Sequence, residues 1–170
     1  MRNVRKQALI CIIDQERKEN MKALVVYFSA EMRRTAKVAE DFARAAGADI
    51  FEIVPEKPYS KGDLKWINPL ARCNREHAAG KDVPVSGNVA GFDEYDTVFI
   101  GFPIWYGYAP NVVSTFCKDY DWSGKKVYIS ATSGGSGIGK TAEELRPYIG
   151  TAEIADARLV SSASELSDWV

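Results

Sequence analysis

Histidine is the scarcest titratable residue of this 170-residue chain, with His77 alone. Cysteine is nearly as rare: Cys11, Cys73 and Cys117 stand at irregular spacing, with no CxxC pair. One imidazole and three scattered thiols do not supply the ligand spacing of a zinc site, and an odd, unpatterned set argues against a disulfide framework. Reduced thiols and a cytoplasmic location are the expectation. Long apolar runs are missing as well. None approaches the roughly 20 residues that span a bilayer, so no membrane partner is expected. A dominant charge is absent too, because 22 basic and 23 acidic side chains leave a net charge of −1. Nothing here resembles the basic footprint of a nucleic-acid binder.

Residues 1–20 hold five of the basic and three of the acidic side chains, which leaves −3 for the remainder. The apolar stretch of this leader, Ala8–Ile13, is six residues long, and no small-residue cleavage pattern follows it. That is short for a signal-peptide core. Met21 is expected to be the natural start. The chain then divides into a leader of unassigned role, 1–20, and one domain, 21–170. A hydrophobic fraction of 46% supplies that domain with a sizeable core.

What is present is a regular alternation of strand and helix signals. Apolar β-favouring runs occur at Ala23–Phe28, Asp49–Val54, Val98–Ile100 and Lys126–Ala131, with a shorter, irregular one in Glu153–Val160. The run at Val98–Ile100 is uninterrupted by charge, as suits a strand buried on both faces, and Gly101 and Pro103 are expected to end it. Helical periodicity covers Thr35–Ala46, Lys61–Ala79 with a break at Pro69, Pro110–Tyr120, Lys140–Ile149 and Ser164–Val170, the last capped by Ser164. Gly47 lies where a helix C-cap belongs, and 80–91 reads as loop. Strands separated by helices must pair in parallel through right-handed crossovers. The expectation is an α/β fold: a three-layer, doubly wound, five-stranded parallel sheet of order 2-1-3-4-5.

Three strand ends carry unusual loops, and that strand order brings them to one crevice at the topological switch point. The loop after the central strand places Phe102, Ile104, Trp105, Tyr106 and Tyr108 together. Loops are ordinarily polar because their backbone must stay wet. Such an aromatic loop suits a flat conjugated ligand, a neighbouring segment folded over it, or a dimer contact. The loop after the first strand, SAEMRRT, offers the Ser29 and Thr35 hydroxyls, the Arg33 and Arg34 guanidiniums and a helix N-terminus. It reads as a phosphate site or as a Thr35 N-cap with two solvated arginines. In the third loop, Gly134, Gly139, Lys140 and Thr141 fit GxxxxGK[ST], a phosphate-loop pattern. Only 29 residues follow Thr141, and no apolar strand ending in Asp appears among them to hold Mg²⁺. A nucleotidase is therefore not expected, and the small residues are left to approach a ligand edge closely.

From Lys22 to Val170 the chain resembles the short-chain flavodoxins and flavodoxin-like proteins. The likeness lies in YFSA with the later Thr35 and KVAE, in GADIFEIVPEKPYS, in DLKWINPLARCNRE, and most specifically in GFPIWYGYAP and ATSGGSGIGK. The resemblance implies FMN as cofactor. Its phosphate would lie in the first loop, among Ser29, Met32, Arg33, Arg34 and Thr35. Its ring would lie between Pro103, Ile104, Trp105, Tyr106 and Gly107 on one side and Thr132, Ser133, Gly134, Gly135 and Gly137 on the other. Trp105 or Tyr106 would stack on the ring, and the Gly107 peptide could turn its carbonyl toward it. Relatives usually have a glycine in the first loop, where this chain has Glu31, Met32, Arg33 and Arg34. Arg34 is expected to replace the missing backbone donors. The implied function is electron transfer with redox partner proteins or a small-molecule acceptor. The alternatives are an NAD(P)H-dependent flavin or quinone reductase, for which the resemblance implies a homodimer, and a binding module that has lost FMN.

Overall fold

The computed structural model of the chain describes residues 22–170, so the leader lies outside the described residues. Five strands form a parallel sheet: β1 (Ala23–Tyr27), β2 (Asp49–Glu52), β5 (Thr97–Pro103), β6 (Lys126–Thr132) and β7 (Glu153–Leu159). The order across the sheet is β2-β1-β5-β6-β7, which is 2-1-3-4-5 when only these five are counted. From β1, second in this order, the chain steps to the edge at β2 and then crosses to the other side of β1. The switch point therefore falls between β1 and β5.

Side-chain alternation along the strands builds two cores. Leu24, Val26, Val98, Ile100, Phe102, Val127, Ile129 and Ala131 face one layer. That layer includes α3 (Asn111–Lys118) and α4 (Thr141–Ile149), through Val112, Val113, Phe116, Leu145 and Ile149. Val25, Tyr27 and Phe99 face the other, where α1 (Arg34–Ala46) supplies Ala36, Val38, Ala39, Phe42 and Ala43. Gly47 ends α1 in the left-handed region, with its N–H donating to the Ala43 carbonyl.

Several elements depart from expectation. β5 does not stop at Gly101. It continues in register through Gly101–Ser130, Phe102–Ala131 and Pro103–Thr132, and the Ile104 N–H still donates to the Thr132 carbonyl at 2.8 Å. Glycine can continue this strand because its missing side chain leaves room for its neighbours: a Cβ there would meet Ser130 Oγ at 3.3 Å and Tyr27 Cβ at 3.4 Å. The helix expected over 61–79 is present only as α2 (Arg72–Ala79). Before it, Asp63 accepts from the Ser60 N–H and hydroxyl at 2.9 and 2.8 Å, folding 60–63 into a turn that competes with helix. The second strand splits, because Val54–Pro55 (β3) leaves the sheet to pair with Val85–Ser86 (β4) inside the expected loop. The last segment is a 3-10 helix, Ala163–Trp169, capped by Ser162 rather than Ser164; Glu165 completes a capping box.

Candidate functional site

The carboxyl ends of β1, β5 and β6 open into one cleft of about 790 Å³. That is the size range of small-ligand sites, and its place is the switch point of the sheet. One end is built by the β1–α1 loop. Ser29 Oγ accepts from the Ala36 N–H at 3.2 Å, so Ser29 rather than Thr35 satisfies a donor of the first helical turn. Arg33 precedes α1 in the left-handed region, at φ 49. Its guanidinium turns away to the Glu52 and Glu40 carboxylates, at 3.1 and 3.3 Å. Arg34 lines the cleft and has no ion pair among the described residues. The Arg34 and Thr35 backbone N–H groups likewise have no partner among the described residues. Glu31, which would repel an anion, is paired with Lys61 at 3.2 Å.

Thr35 and Thr132 join this end to the strand floor. Their hydroxyls lie 2.8 Å apart, and the residues are 3% and 8% exposed. One hydroxyl donates to the other, which leaves a second hydroxyl proton for a ligand. The donor set is thus a guanidinium, two free N–H groups at a helix N-terminus and a hydroxyl. It fits a phosphate, and the missing glycine does not abolish the turn because Arg33 adopts the glycine-like conformation itself.

The aromatic wall is a two-residue hairpin. Trp105 and Tyr108 exchange backbone hydrogen bonds of 3.0 and 2.9 Å, and both residues between them have positive φ: Tyr106 at 56 and Gly107 at 87. That is the primed turn that matches strand twist; it suits Gly107 and strains Tyr106. Trp105 is held edge-on by Phe28 and Tyr59, with ring centres 5.5 and 5.3 Å away. Tyr59 donates to Glu76 at 2.5 Å, under the Arg72 guanidinium; burial first, then Glu76, pushes its phenol pKa up. Burial first, then the Cys73 contact, does the same for Tyr106.

The wall opposite is formed by Ser133, Gly134, Gly135 and Ser136. The phosphate-loop pattern is not folded as one. Ser133 Oγ accepts the Gly135 and Ser136 N–H groups at 3.0 and 2.7 Å, so those donors are spent. Thr141 is fully buried and gives its hydroxyl to the Ile138 and Gly107 carbonyls, at 2.5 and 3.3 Å.

The chain from 22 to 170 matches the model of a family described as flavodoxin. It belongs to the flavodoxin family. No curated protein matches it. Among solved structures it is similar to a candidate flavoprotein from Bacteroides eggerthii DSM 20697, at 35% identity and a TM-score of 0.82, covering 88% of this chain and 96% of that one. A candidate flavoprotein from Bacteroides uniformis ATCC 8492 is similar at 34% identity and 0.81, over 88% and 97% of the two chains. A flavoprotein from Lactobacillus acidophilus NCFM, solved in complex with FMN, shares the fold at 20% identity and 0.66, over 88% and 98%.

Ser29, Met32, Arg33, Arg34, Thr35, Pro103, Ile104, Trp105, Tyr106, Thr132, Ser133, Gly134 and Gly135 line the cleft together. Gly107 and Gly137 do not line it. Sequence reading left out Lys61, Leu64, Trp66 and Cys73, which complete its outer side. It also assigned no role to His77, which stacks on Tyr106 and Tyr108 with ring centres 4.5 and 5.8 Å away. A tryptophan in a charged, proline-broken segment was the available signal for Trp66. Nothing local marks His77, whose partners are about 30 residues away in sequence.

Proposed function

We propose that this chain binds FMN in the cleft and acts in electron transfer. The observation that carries the reading is the pairing of two unlike walls in one cavity: an anion-donor end at α1 and an aromatic hairpin facing a small-residue loop. Arg34, the first N–H groups of α1 and the Thr35–Thr132 hydroxyl pair hold the phosphate. Trp105 and Tyr106 flank the ring on one side and Ser133–Gly135 on the other. FMN supplies the redox chemistry when bound, and the protein supplies placement, water exclusion and electrostatics. Trp105 is fixed by its two aromatic neighbours, so the ring meets a wall that need not reorganise.

A second reading is favoured by the outer side of the cleft. Leu64 and the 70% exposed Trp66 leave an apolar rim beside the ring site. That rim would accept a second flat molecule, as a reductase using NAD(P)H and a quinone-like acceptor requires. Two measurements separate the readings. The purified chain titrated with FMN shows saturable binding and a shifted flavin spectrum; a chain that stays colourless and does not bind FMN refutes both. Anaerobic stopped-flow mixing of the FMN-loaded chain with NADPH then distinguishes them, because a carrier stays oxidised and a reductase bleaches.

A further inference from the structure

We infer that Asn74 is a positioning residue that makes the strained Tyr106 turn conditional on the outer loop 61–70. Asn74 uses every polar group of its side chain. Its amide Nδ2 donates to the Trp66 carbonyl at 2.8 Å and to the Asn68 carbonyl at 2.7 Å. Its Oδ1 accepts from the Tyr106 hydroxyl at 2.5 Å. The two carbonyls fix the orientation of the amide, since the reversed amide would aim oxygen at oxygen. The outer loop therefore decides where the acceptor for Tyr106 stands.

Tyr106 depends on that acceptor. Its φ of 56 is costly for a residue with a side chain. Two other groups hold the side chain, the His77 ring at 4.5 Å and Cys73 Sγ at 3.3 Å. Both lie with Asn74 on α2. Cys73 meets the outer loop only through its backbone N–H, at the Asp63 carbonyl 3.0 Å away, whereas Asn74 joins Tyr106 to the Trp66–Asn68 stretch through its side chain. That loop ends in exposed apolar side chains, Trp66 at 70% and Ile67 at 79%, and Trp66 lines the cleft. A molecule pressing on Trp66 thus acts on the Tyr106–Gly107 turn through one side chain. The consequence for a bound flavin rests on the FMN reading, whereas the coupling is a property of the chain alone.

The test is run on the full chain without flavin, so it stands whether or not FMN binds. Tryptic cleavage after Lys65 reports the outer loop, and hydrogen exchange at the Trp105 and Tyr108 amides reports the hairpin. Tyr106→Phe removes a hydroxyl from the hairpin side only. It is expected to speed cleavage after Lys65 about fivefold, the effect of one lost hydrogen bond. Asn74→Asp keeps an acceptor for Tyr106 but turns a carboxylate toward the two loop carbonyls. It is expected to speed both loop cleavage and hairpin exchange. The double variant should add nothing beyond Asn74→Asp. Unchanged loop cleavage in Tyr106→Phe, or unchanged hairpin exchange in Asn74→Asp, would overturn the coupling and leave Asn74 a staple of one loop.

Discussion

Arg33 shows how one residue compensates for a departure from the family pattern. The turn into α1 needs a left-handed residue, and the chain places arginine there at φ 49. That conformation costs a side-chain-bearing residue about 1–2 kcal/mol relative to its preferred regions. The ion pairs to Glu40 and Glu52 recover only part of this, because both are substantially exposed. Arg33→Ala and Arg33→Gly lose the same pairs, but only glycine relaxes the backbone. The glycine variant is therefore expected to be about 1 kcal/mol more stable than the alanine variant in urea unfolding. Equal stability would mean that the turn is not strained.

The same cluster sets a pH dependence. The Tyr27 hydroxyl donates to Glu52 at 3.2 Å and to Glu40 at 3.4 Å. Burial first, and then Glu52, raises its pKa from 10 to about 12. The folded chain holds this proton more tightly than the unfolded chain does. The contribution is thus complete below pH 10 and is lost as the pH rises toward about 12. Stability should fall across that window, and Tyr27→Phe should flatten part of the fall in unfolding series at stepped pH. A wild-type and variant slope that coincide would remove Tyr27 from the account.

At the scale of elements, apolar β-favouring runs alternating with helical periodicity were enough to find all five sheet strands and to expect their order. Buried parallel strands are continuous apolar runs, and helical periodicity between them leaves few topologies. What was illegible depended on contacts distant in sequence. Gly101 and Pro103 read as terminators, yet the strand continues because Tyr27, Thr35 and Ser130 close over the glycine. The turn at Ser60–Asp63 overrode a helical pattern with two side-chain hydrogen bonds. The cleft was legible as three loops, but its outer side was not, since Cys73 and Asn74 meet Tyr106 only through folding. The Gly101 contacts carry a prediction. Gly101→Val places branched carbon against Ser130, Tyr27 and Thr35, costing about 1–3 kcal/mol in denaturant unfolding, with alanine milder. Displacement of Thr35 should also weaken FMN binding, measured by titration of the folded variant. Wild-type stability and affinity in Gly101→Val would show that the neighbours yield freely.

At the scale of the whole molecule, ligand binding and stability are one equilibrium. A ligand held only by the folded chain raises the melting temperature in proportion to its binding free energy. At a hundredfold excess over the dissociation constant, that is about 2.7 kcal/mol. For a domain of this size, each kcal/mol moves the transition by about 2–4 °C. FMN is therefore expected to raise the melting temperature by roughly 5–10 °C at that excess. Riboflavin presents the same ring without the phosphate, so at equal concentration it should raise it much less. The difference belongs to the anion end of the cleft, and Arg34→Ala should erase most of it while leaving the riboflavin shift unchanged. Mg²⁺ with ATP should give no shift, despite the GxxxxGKT match. The Thr141 hydroxyl is committed to two backbone carbonyls, and the Ser133 hydroxyl occupies the Gly135 and Ser136 N–H groups. Equal shifts for FMN and riboflavin would show that Arg34 and the α1 N-terminus do not hold the phosphate. A magnesium-dependent shift with ATP would show that the glycine loop rearranges away from the hydrogen bonds it makes here.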